Sequence, residues 1–277
     1  AAWGIHDVVN ESMASAARVH VSERGKDPRG YALLATGGAG PVHAYYVARK
    51  LGLRRILCPP SAGVASALGL LMAPARVDRV ATVASRLDAM DWQALEATFR
   101  RLEDEARKVI ADTGLPQRRV RVQRLADMRY VGQAFELVTA LPSGPYSPSS
   151  RQPLQAAFEQ DYRRTFSRTP PGVTVEIVNV RVSLRAAIPG GEVAVRTAAG
   201  AAAGRSVAGA RKGRRAAYFP EYGDYHPTPV YDRYRLPAGG RLRGPAIVEE
   251  RESTLVVGPA GRVHVDAAGT VIVEMEG

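Results

Sequence analysis

The chain is 277 residues long, and its 45% hydrophobic and 23% charged residues are typical of a soluble globular protein with one large or two ordinary domains. Its net charge of +11 comes mainly from scattered arginines, without the interleaved aromatic residues of a single-strand binder, so we expect no nucleic acid partner. No apolar run approaches the roughly 20 residues that a membrane span needs. A single cysteine, Cys58, leaves no internal disulfide and no cysteine pair for a metal. We therefore expect a cytoplasmic protein with no membrane anchor and no metal site.

The first predicted element is a helix over residues 1–24, closed by Gly25. The chain has no initiator Met and the helix runs from its first residues, so we expect the chain to begin inside a domain. Apolar residues at helical spacing predict an apolar stripe along one face of this helix. The stripe consists of Ile5, Val8, Val9, Met13, Ala16, Ala17 and His20.

A glycine-rich turn comes next. Residues 31–35 (YALLA) predict a buried strand, and the turn separates them from a helix that a proline starts. Glycines can adopt backbone angles closed to other residues, and the free amides of a helix start favour an anion or a polar ligand edge. The turn is therefore the best candidate for a nucleotide site, although a tight turn without a ligand fits the same pattern. The residues concerned are Gly37, Gly38, Ala39, Gly40 and Pro41.

The remaining segments predict three further regions. After a strand at 53–58, a small helix at 64–72 and a strand at 75–85 complete a first region, 1–88. Residues 89–189 predict an α+β subdomain, with helices on one face of an antiparallel sheet. Its predicted helices are 91–112 and 153–166, and its predicted strands are 119–129, 135–141 and 174–187.

An Ala- and Gly-rich stretch, 190–213, predicts a linker, and the basic cluster 211–215 is interpreted as its solvated end. Residues 214–277 predict a small all-β module, because short alternating segments are separated by Gly and Pro. Its predicted strands are 216–219, 229–232, 246–249, 254–257, 262–265 and 270–274.

Three polar residues of the α+β subdomain, Arg129, Gln133 and Glu136, could hydrogen-bond a polar substrate. A strand-end arginine paired with a nearby carboxylate is the more usual structural outcome. We therefore favour a structural role for these three residues.

Several short motifs occur in order over most of the chain. They are Gly37-Gly38-Ala39-Gly40-Pro41 with His43, Pro59-Pro60 with Gly63-Val64, the segment 66–71 (SALGLL), the segments 129–133 (RYVGQ) and 135–137 (FEL), the segment 175–179 (VEIVN), and the segment 244–250 (GPAIVEE). Together they resemble the hydantoinase A / 5-oxoprolinase family, whose relatives include the ATP-using subunits of acetone and acetophenone carboxylases.

This resemblance implies a fold and a site. The first region would be the end of an actin-like ATPase (ribonuclease H-like) lobe, in an α/β chain that continues with the α+β subdomain and the all-β module. Gly37, Gly38 and Gly40, with Ala39 between them, would form the adenosine motif that contacts the nucleotide, and Pro41 would start the helix behind it. His43 either lines this site or packs in the interior.

The resemblance also implies cofactors and partners. ATP with Mg²⁺ would activate a carbonyl by phosphoryl transfer, but the phosphate-binding loops of the family lie upstream of the matched region. We therefore expect a C-terminal part or a split subunit that is inactive alone and forms a hetero-oligomer. Its expected partners are an upstream hydantoinase A-type lobe, a hydantoinase B-like subunit and a small cyclic amide or ketone substrate.

Three functions remain open at this point. The first is ATP-dependent hydrolysis of a lactam or imide ring, and the second is ATP-dependent carboxylation of a ketone. The third is a non-catalytic assembly subunit that keeps the fold and has lost nucleotide binding.

Overall fold

A computed structural model describes residues 1–114, 116, 119–186 and 206–275 as a mixed α/β protein. The chain divides into two units, Ala1–Leu71 with Val193–Gly277, and Met72–Glu192. Among the described residues, no helix is both long and apolar enough to cross a membrane. The helices are α1 (Ala2–Ser22), α2 (Gly40–Leu51), α3 (Ala65–Met72), α4 (Trp92–Ala111) and α5 (Arg151–Phe166). The strands are β1 (Leu33–Leu34), β2 (Arg55–Cys58), β3 (Ala75–Arg86), β4 (Val120–Tyr130), β5 (Leu137–Ala140), β6 (Val175–Ala186), β7 (Arg211–Phe219), β8 (Asp224–Asp232), β9 (Arg241–Arg243), β10 (Ala246–Glu249), β11 (Thr254–Val257), β12 (Gly261–Val265) and β13 (Val271–Met275).

The first unit contains two sheets. One has the order β1-β2-β13-β12-β9, with β1 parallel to β2 and the other pairs antiparallel. The other has the order β11-β10-β8-β7, in which β10 and β8 are parallel. Helix α2 supplies buried side chains to the core of this unit, among them Tyr45, Ala48 and Leu51. This core fixes the strand, turn and helix on which the glycine motif lies.

The second unit is one antiparallel sheet, β3-β6-β4-β5, with α4 and α5 contributing to its core. Helix α4 begins where the Asp91 side chain accepts a hydrogen bond from the Ala94 amide at 2.9 Å, an N-cap that satisfies one free helix donor. Phe99 and Phe158, on the apolar faces of the two helices, are fully buried. The predicted helices and strands of residues 91–187 match these elements, and β3 joins them as a further strand.

One prediction for the first forty residues is wrong, and the exposure of another feature was not predicted. The predicted buried strand at 31–35 is only the two-residue β1, and Leu34 is 61% exposed because β1 is an edge strand with a single neighbour, β2. The stripe of α1 is mostly exposed, Ile5 at 70% and Val8 at 67%. The helix instead buries its other face, where Asn10 bonds to α2.

The C-terminal segments also differ from the predicted module. Strands β9, β12 and β13 do not form a separate sheet with β7 and β8, because β13 pairs with β2 and places Val271 opposite Cys58. Of the predicted linker, residues 190–205 lie outside the described residues. The basic cluster is exposed as expected but is not a linker end, since it lies in β7. There Lys212 pairs with Glu249 at 2.6 Å and Arg215 with the same carboxylate at 2.9 Å.

Candidate functional site

The GG turn, residues 37–40, lies at the end of β1 with its backbone open to solvent. Gly37 has a φ of +87°, a left-handed conformation that only glycine adopts at little cost. Its amide donates to the Ala62 carbonyl at 2.8 Å, which ties the turn to the segment after β2. Gly37, Gly38 and Ala39 are exposed. The turn is therefore anchored by the hydrogen bond of Gly37, while residues 37–39 remain accessible to solvent.

Helix α2 begins directly at this turn. Its N-cap, Ala39, makes no side-chain hydrogen bond, and Gly40 and Pro41 are its first residues. The first amides of a helix have no carbonyl partner within it, and the helix dipole adds partial positive charge there. The start of α2 therefore offers main-chain donors to an anion or a polar ligand edge.

A second segment also contacts the turn. This backing loop, residues 250–253, connects β10 to β11. The Ser253 hydroxyl donates to the Gly38 carbonyl at 3.2 Å. A Cβ on Gly38 would lie 3.4 Å from the Glu252 carbonyl oxygen, and a Cβ on Gly63 would lie 2.6 Å from the same oxygen. Two glycines from different segments thus allow the main chain of the backing loop to lie against the GG turn.

The first residue of the backing loop, Glu250, forms a buried charge pair with Arg233. Each side chain is only 4% exposed, and their closest N–O distance is 3.5 Å. Arg233 donates to the carbonyls of Cys58 at 2.9 Å and Gly269 at 2.7 Å, but its Nη1 and both Glu250 carboxylate oxygens lack a hydrogen bond of good geometry, although the Ala62 amide acts on Glu250 as a main-chain donor. Burial raises the pKa of Glu250, and the Arg233 guanidinium only partly opposes that shift. A partly satisfied buried carboxyl is unusual in a folded protein.

His43, in the first turn of α2, contacts two residues of α1. Its Nδ1 is 2.8 Å from the Asn10 Oδ1, and its ring stacks on the His6 ring at a centroid distance of 4.6 Å. Burial lowers the pKa of His6, and the neighbouring His43 lowers it further. The half-buried His43 thus contacts α1, and whether it also lines the site stays a prediction.

The three polar residues considered in the second unit make structural contacts. Arg129 pairs with Glu176 at 2.7 Å and with Glu136 at 3.4 Å. The Gln133 side-chain oxygen accepts from the Tyr130 amide at 3.2 Å. These contacts within the sheet agree with the structural interpretation. Across the part of the chain that the structure describes, no group of three or more His, Cys, Asp or Glu residues could hold a metal ion.

The sequence interpretation missed the backing loop. Glu249 and Glu250 belonged to a quoted motif and Gly63 to another, but neither motif was given a role at the turn. A signal was present, since two acidic residues and a short polar stretch, Arg251 to Ser253, interrupt two apolar strands. What the sequence could not show was that this hairpin lies against the GG turn.

Comparison with known proteins matches this architecture. Residues 1–79 match the family model Hydantoinase/oxoprolinase, and residues 83–272 match the Hydantoinase/oxoprolinase C-terminal domain. The chain is 32% identical over 276 residues to caprolactamase subunit alpha from Pseudomonas jessenii, covering 98% of this chain and 39% of that protein. It is 28% identical over 285 residues to the acetophenone carboxylase gamma subunit of Aromatoleum aromaticum, covering 98% of this chain and 37% of that protein.

The chain is also similar to a solved structure. The crystal structure of the ATP-dependent caprolactamase from Pseudomonas jessenii matches with a TM-score of 0.72 and 30% identity, covering 100% of this chain and 40% of that one. The chain thus spans about two-fifths of the length of these relatives. The family predicted from the motifs is confirmed, because the two family models match nearly the whole sequence. The chain belongs to the hydantoinase/oxoprolinase family.

Proposed function

We propose that the GG turn is the adenosine side of an ATP site within an actin-like ATPase lobe. The observation that carries this proposal is the exposed turn at the open start of α2, held by the Ala62 carbonyl and by the Ser253 hydroxyl. A turn supported on two sides keeps its main-chain donors in place, so a ligand can bind without a large ordering cost. The residues that would contact the nucleotide are Gly37, Gly38, Ala39 and Gly40, with Pro41 fixing the helix start.

We further propose that the chain is the C-terminal part or a split subunit of an ATP-dependent hydrolase of cyclic amides. ATP, bound with Mg²⁺, would supply the phosphoryl group that activates a lactam or imide carbonyl for ring hydrolysis. The role of this chain is to position the nucleotide, and positioning is a large part of catalysis in phosphoryl transfer. An upstream hydantoinase A-type lobe would hold the phosphates, and a hydantoinase B-like subunit would complete the hetero-oligomer. The 32% identity to a caprolactamase subunit supports this branch.

A second function rests on a separate observation, the similarity to the acetophenone carboxylase gamma subunit. The same nucleotide site could serve ATP-dependent carboxylation of a ketone. The reconstituted complex distinguishes the two reactions when it is given ATP with either a simple lactam, or a simple ketone and labelled bicarbonate. Ring-opened amino acid supports the hydrolase, and label fixed in a keto acid supports the carboxylase.

Calorimetry tests the nucleotide site. ATP is titrated into the chain alone and into the chain together with its upstream lobe, each also as Gly38→Val. The added methyl groups would meet the Glu252 main chain, because a Cβ at Gly38 already lies 3.4 Å from its oxygen. Gly213→Val in β7 is the matched control, since a Cβ there meets nothing within 4 Å.

We expect binding in the pair, loss of at least about tenfold in affinity in Gly38→Val, equivalent to about 1.4 kcal/mol, and no change in Gly213→Val. The chain alone should not turn over ATP. Absence of binding in the pair would favour the assembly-subunit alternative, and enzyme-like hydrolysis by the chain alone would contradict the split site.

A further inference from the structure

The antiparallel sheet of the second unit has one face that the helices of this unit do not cover. Helices α4 and α5 pack on the other face, where the strands place their buried apolar side chains. Since side chains alternate between the two faces along a strand, every second residue lies on the uncovered face. We define this open face by Arg76, Asp78, Val80 and Thr82 of β3 together with the residues opposite them in register on β6 and β4.

Three arginines form a row across one end of the open face. Arg76 lies opposite Arg185 in the pairing of β3 with β6, and Arg185 lies opposite Arg121 in the pairing of β6 with β4. Directly opposite side chains have Cβ atoms about 5 Å apart, and like charges placed there destabilise a sheet. The row therefore lowers the stability of the unit, so stability does not explain it.

The positive charge of this row is only partly compensated. Arg76 pairs with Asp78 at 2.7 Å. Arg121 and Arg185 are exposed and form no ion pair with another described residue, although Arg185 is close enough to Asp78 for an electrostatic attraction. Two guanidinium groups on neighbouring strands thus remain available to carboxylates from another molecule.

The middle of the open face is satisfied internally. Asp127, only 4% exposed, accepts two hydrogen bonds from Arg181, each at 2.7 Å. The Asn179 side-chain amide donates to the same carboxylate at 2.9 Å, and the Thr82 hydroxyl donates to the Asn179 side-chain oxygen at 2.9 Å. Bidentate arginine–carboxylate pairs fix both side chains. The open face is therefore ordered before a partner binds, which lowers the entropic cost of binding.

The residues of the open face favour a protein partner with an acidic surface. The planar guanidinium group of arginine binds carboxylates through two parallel hydrogen bonds. Exposed valines beside the charged groups, Val80 at 47% and Val138 at 57%, add apolar contact area. Nucleic acid fits less well, because Tyr130, the aromatic residue of these strands, is buried in the core and leaves no ring on the open face for a base.

We propose that the open face docks the acidic surface of a second subunit, with Arg121 and Arg185 binding carboxylates of that subunit. The inference rests on the proposed function, in which a hydantoinase B-like subunit completes the hetero-oligomer. It also gives a role to the segment 175–179 (VEIVN), which supplies Asn179 to the open face and has no part in the nucleotide site.

The test measures binding of a purified hydantoinase B-like subunit of the same organism to the chain together with its upstream lobe, by calorimetry. Arg121→Glu with Arg185→Glu should weaken binding at least about tenfold, because the reversed charges would face carboxylates. Arg121→Gln with Arg185→Gln removes the charges without reversing them. This second variant should lose less affinity, and its binding should depend less on salt than that of the wild type.

Arg107→Glu with Lys108→Glu is the matched control. Both residues are exposed on α4, and the double substitution changes the net charge by the same amount as the double glutamate variant of the open face. The control should bind the subunit as tightly as the wild type. Urea unfolding followed by Trp92 fluorescence shows that each variant is folded.

The outcomes separate this inference from the proposed function. If the wild type binds the subunit and Arg121→Glu with Arg185→Glu binds it equally well, the docking face is wrong while the hetero-oligomer stands. An equal loss in the control would also contradict the docking face. If the wild type does not bind the subunit, the hetero-oligomer and the docking face both fail. Tight binding of a labelled single-stranded RNA that the same double variant abolishes would assign the open face to nucleic acid and overturn the inference.

Discussion

Among the described residues, each unit has an arginine that is withdrawn from solvent beside a carboxylate: Arg233 is buried in the first unit, and Arg124 is half-buried in the second. In the second unit, Arg124 donates to Glu96 at 2.7 Å and to Glu103 at 2.6 Å, and the Tyr146 amide also donates to Glu96 at 3.1 Å. In the first unit, Arg233 donates to two carbonyls, and its carboxylate neighbour, Glu250, lacks a hydrogen bond of good geometry. The half-buried charge network of the second unit is satisfied, and the buried charge pair of the first unit is only partly satisfied.

The difference in hydrogen bonding suggests different roles for the two arginine sites. A buried ion pair gains little unless all of its hydrogen bonds are made, so a satisfied network such as that of Arg124 is what stability requires. An unsatisfied carboxyl lowers stability, and such groups are concentrated at functional sites. The comparison therefore predicts that substitutions at Arg124 and Glu250 have very different costs.

The largest effect is expected for Arg124→Met. The variant leaves the half-buried carboxylates of Glu96 and Glu103 without their shared partner, which should cost the second unit about 2–4 kcal/mol. The protein contains two tryptophans, Trp3 in the first unit and Trp92 in the second. Urea unfolding followed by Trp92 fluorescence in a Trp3→Phe background therefore reports on the second unit.

Arg100→Met is the control for this substitution. Arg100 also bonds Glu96, at 3.0 Å, but its side chain is 68% exposed, so its loss should cost under about 1 kcal/mol. Equal losses in the two variants would contradict the view that burial makes the Arg124 network structural.

Acid should weaken the same network. Burial would raise the pKa of Glu96, but the hydrogen bonds from Arg124, Arg100 and the Tyr146 amide outweigh it and lower the pKa from 4.5 to about 2. A carboxyl with a depressed folded pKa contributes stability that is complete above its unfolded pKa and is lost as the pH falls. The second unit should therefore lose stability between pH 4.5 and about 2, measured by Trp92 fluorescence. In Glu96→Gln this part of the acid loss should be absent, and an unchanged acid profile would exclude Glu96 as its source.

The packing beneath the GG turn gives the next effect. In Gly63→Ala the new methyl group would lie 2.6 Å from a main-chain oxygen of the backing loop, and such overpacking costs about 1–3 kcal/mol. Unfolding followed by Trp3 fluorescence in a Trp92→Phe background should show this loss. Gly69→Ala is the control, because a Cβ on Gly69, in α3, meets nothing within 4 Å, and it should be neutral or slightly stabilising. Equal stability in the two variants would show that the backing loop does not hold the turn.

The sequence predicts the elements that depend on local signals and misses the features that depend on distant contacts. Helix α4 and strands β4 and β6 were predicted closely, because each carries its own periodicity and end signals such as Asp91. The length and the burial of strand β1 were overestimated, because burial of Leu34 would need a second neighbouring strand that β1 does not have. The stripe of α1 was identified, but its direction depends on the contact of Asn10 with His43.

The candidate site shows the same limit. The GG turn and the start of α2 could be predicted, because glycine and proline act locally on the backbone. The contact of Glu252 with Gly63 could not, since it joins residues that are distant in sequence through the pairing of several strands. The incomplete hydrogen bonding of Glu250 could not either, because it is a property of what surrounds that carboxyl.

The smallest effect, and the sharpest test of the comparison, is expected for Glu250→Gln. Burial raises the pKa of Glu250, so the folded state disfavours its charged form, and the wild-type protein loses stability as the pH rises from the unfolded pKa through the folded one. The amide has the same shape without the charge, and Arg233 keeps its two carbonyl partners. At neutral pH the variant should therefore be as stable as wild type or more stable, by up to about 1 kcal/mol, and this difference should shrink as the pH falls below 4.5. Trp3 fluorescence in urea at several pH values measures it. A loss as large as that of Arg124→Met would mean that Glu250 is a structural partner of Arg233, and the contrast between the two units would no longer point to function.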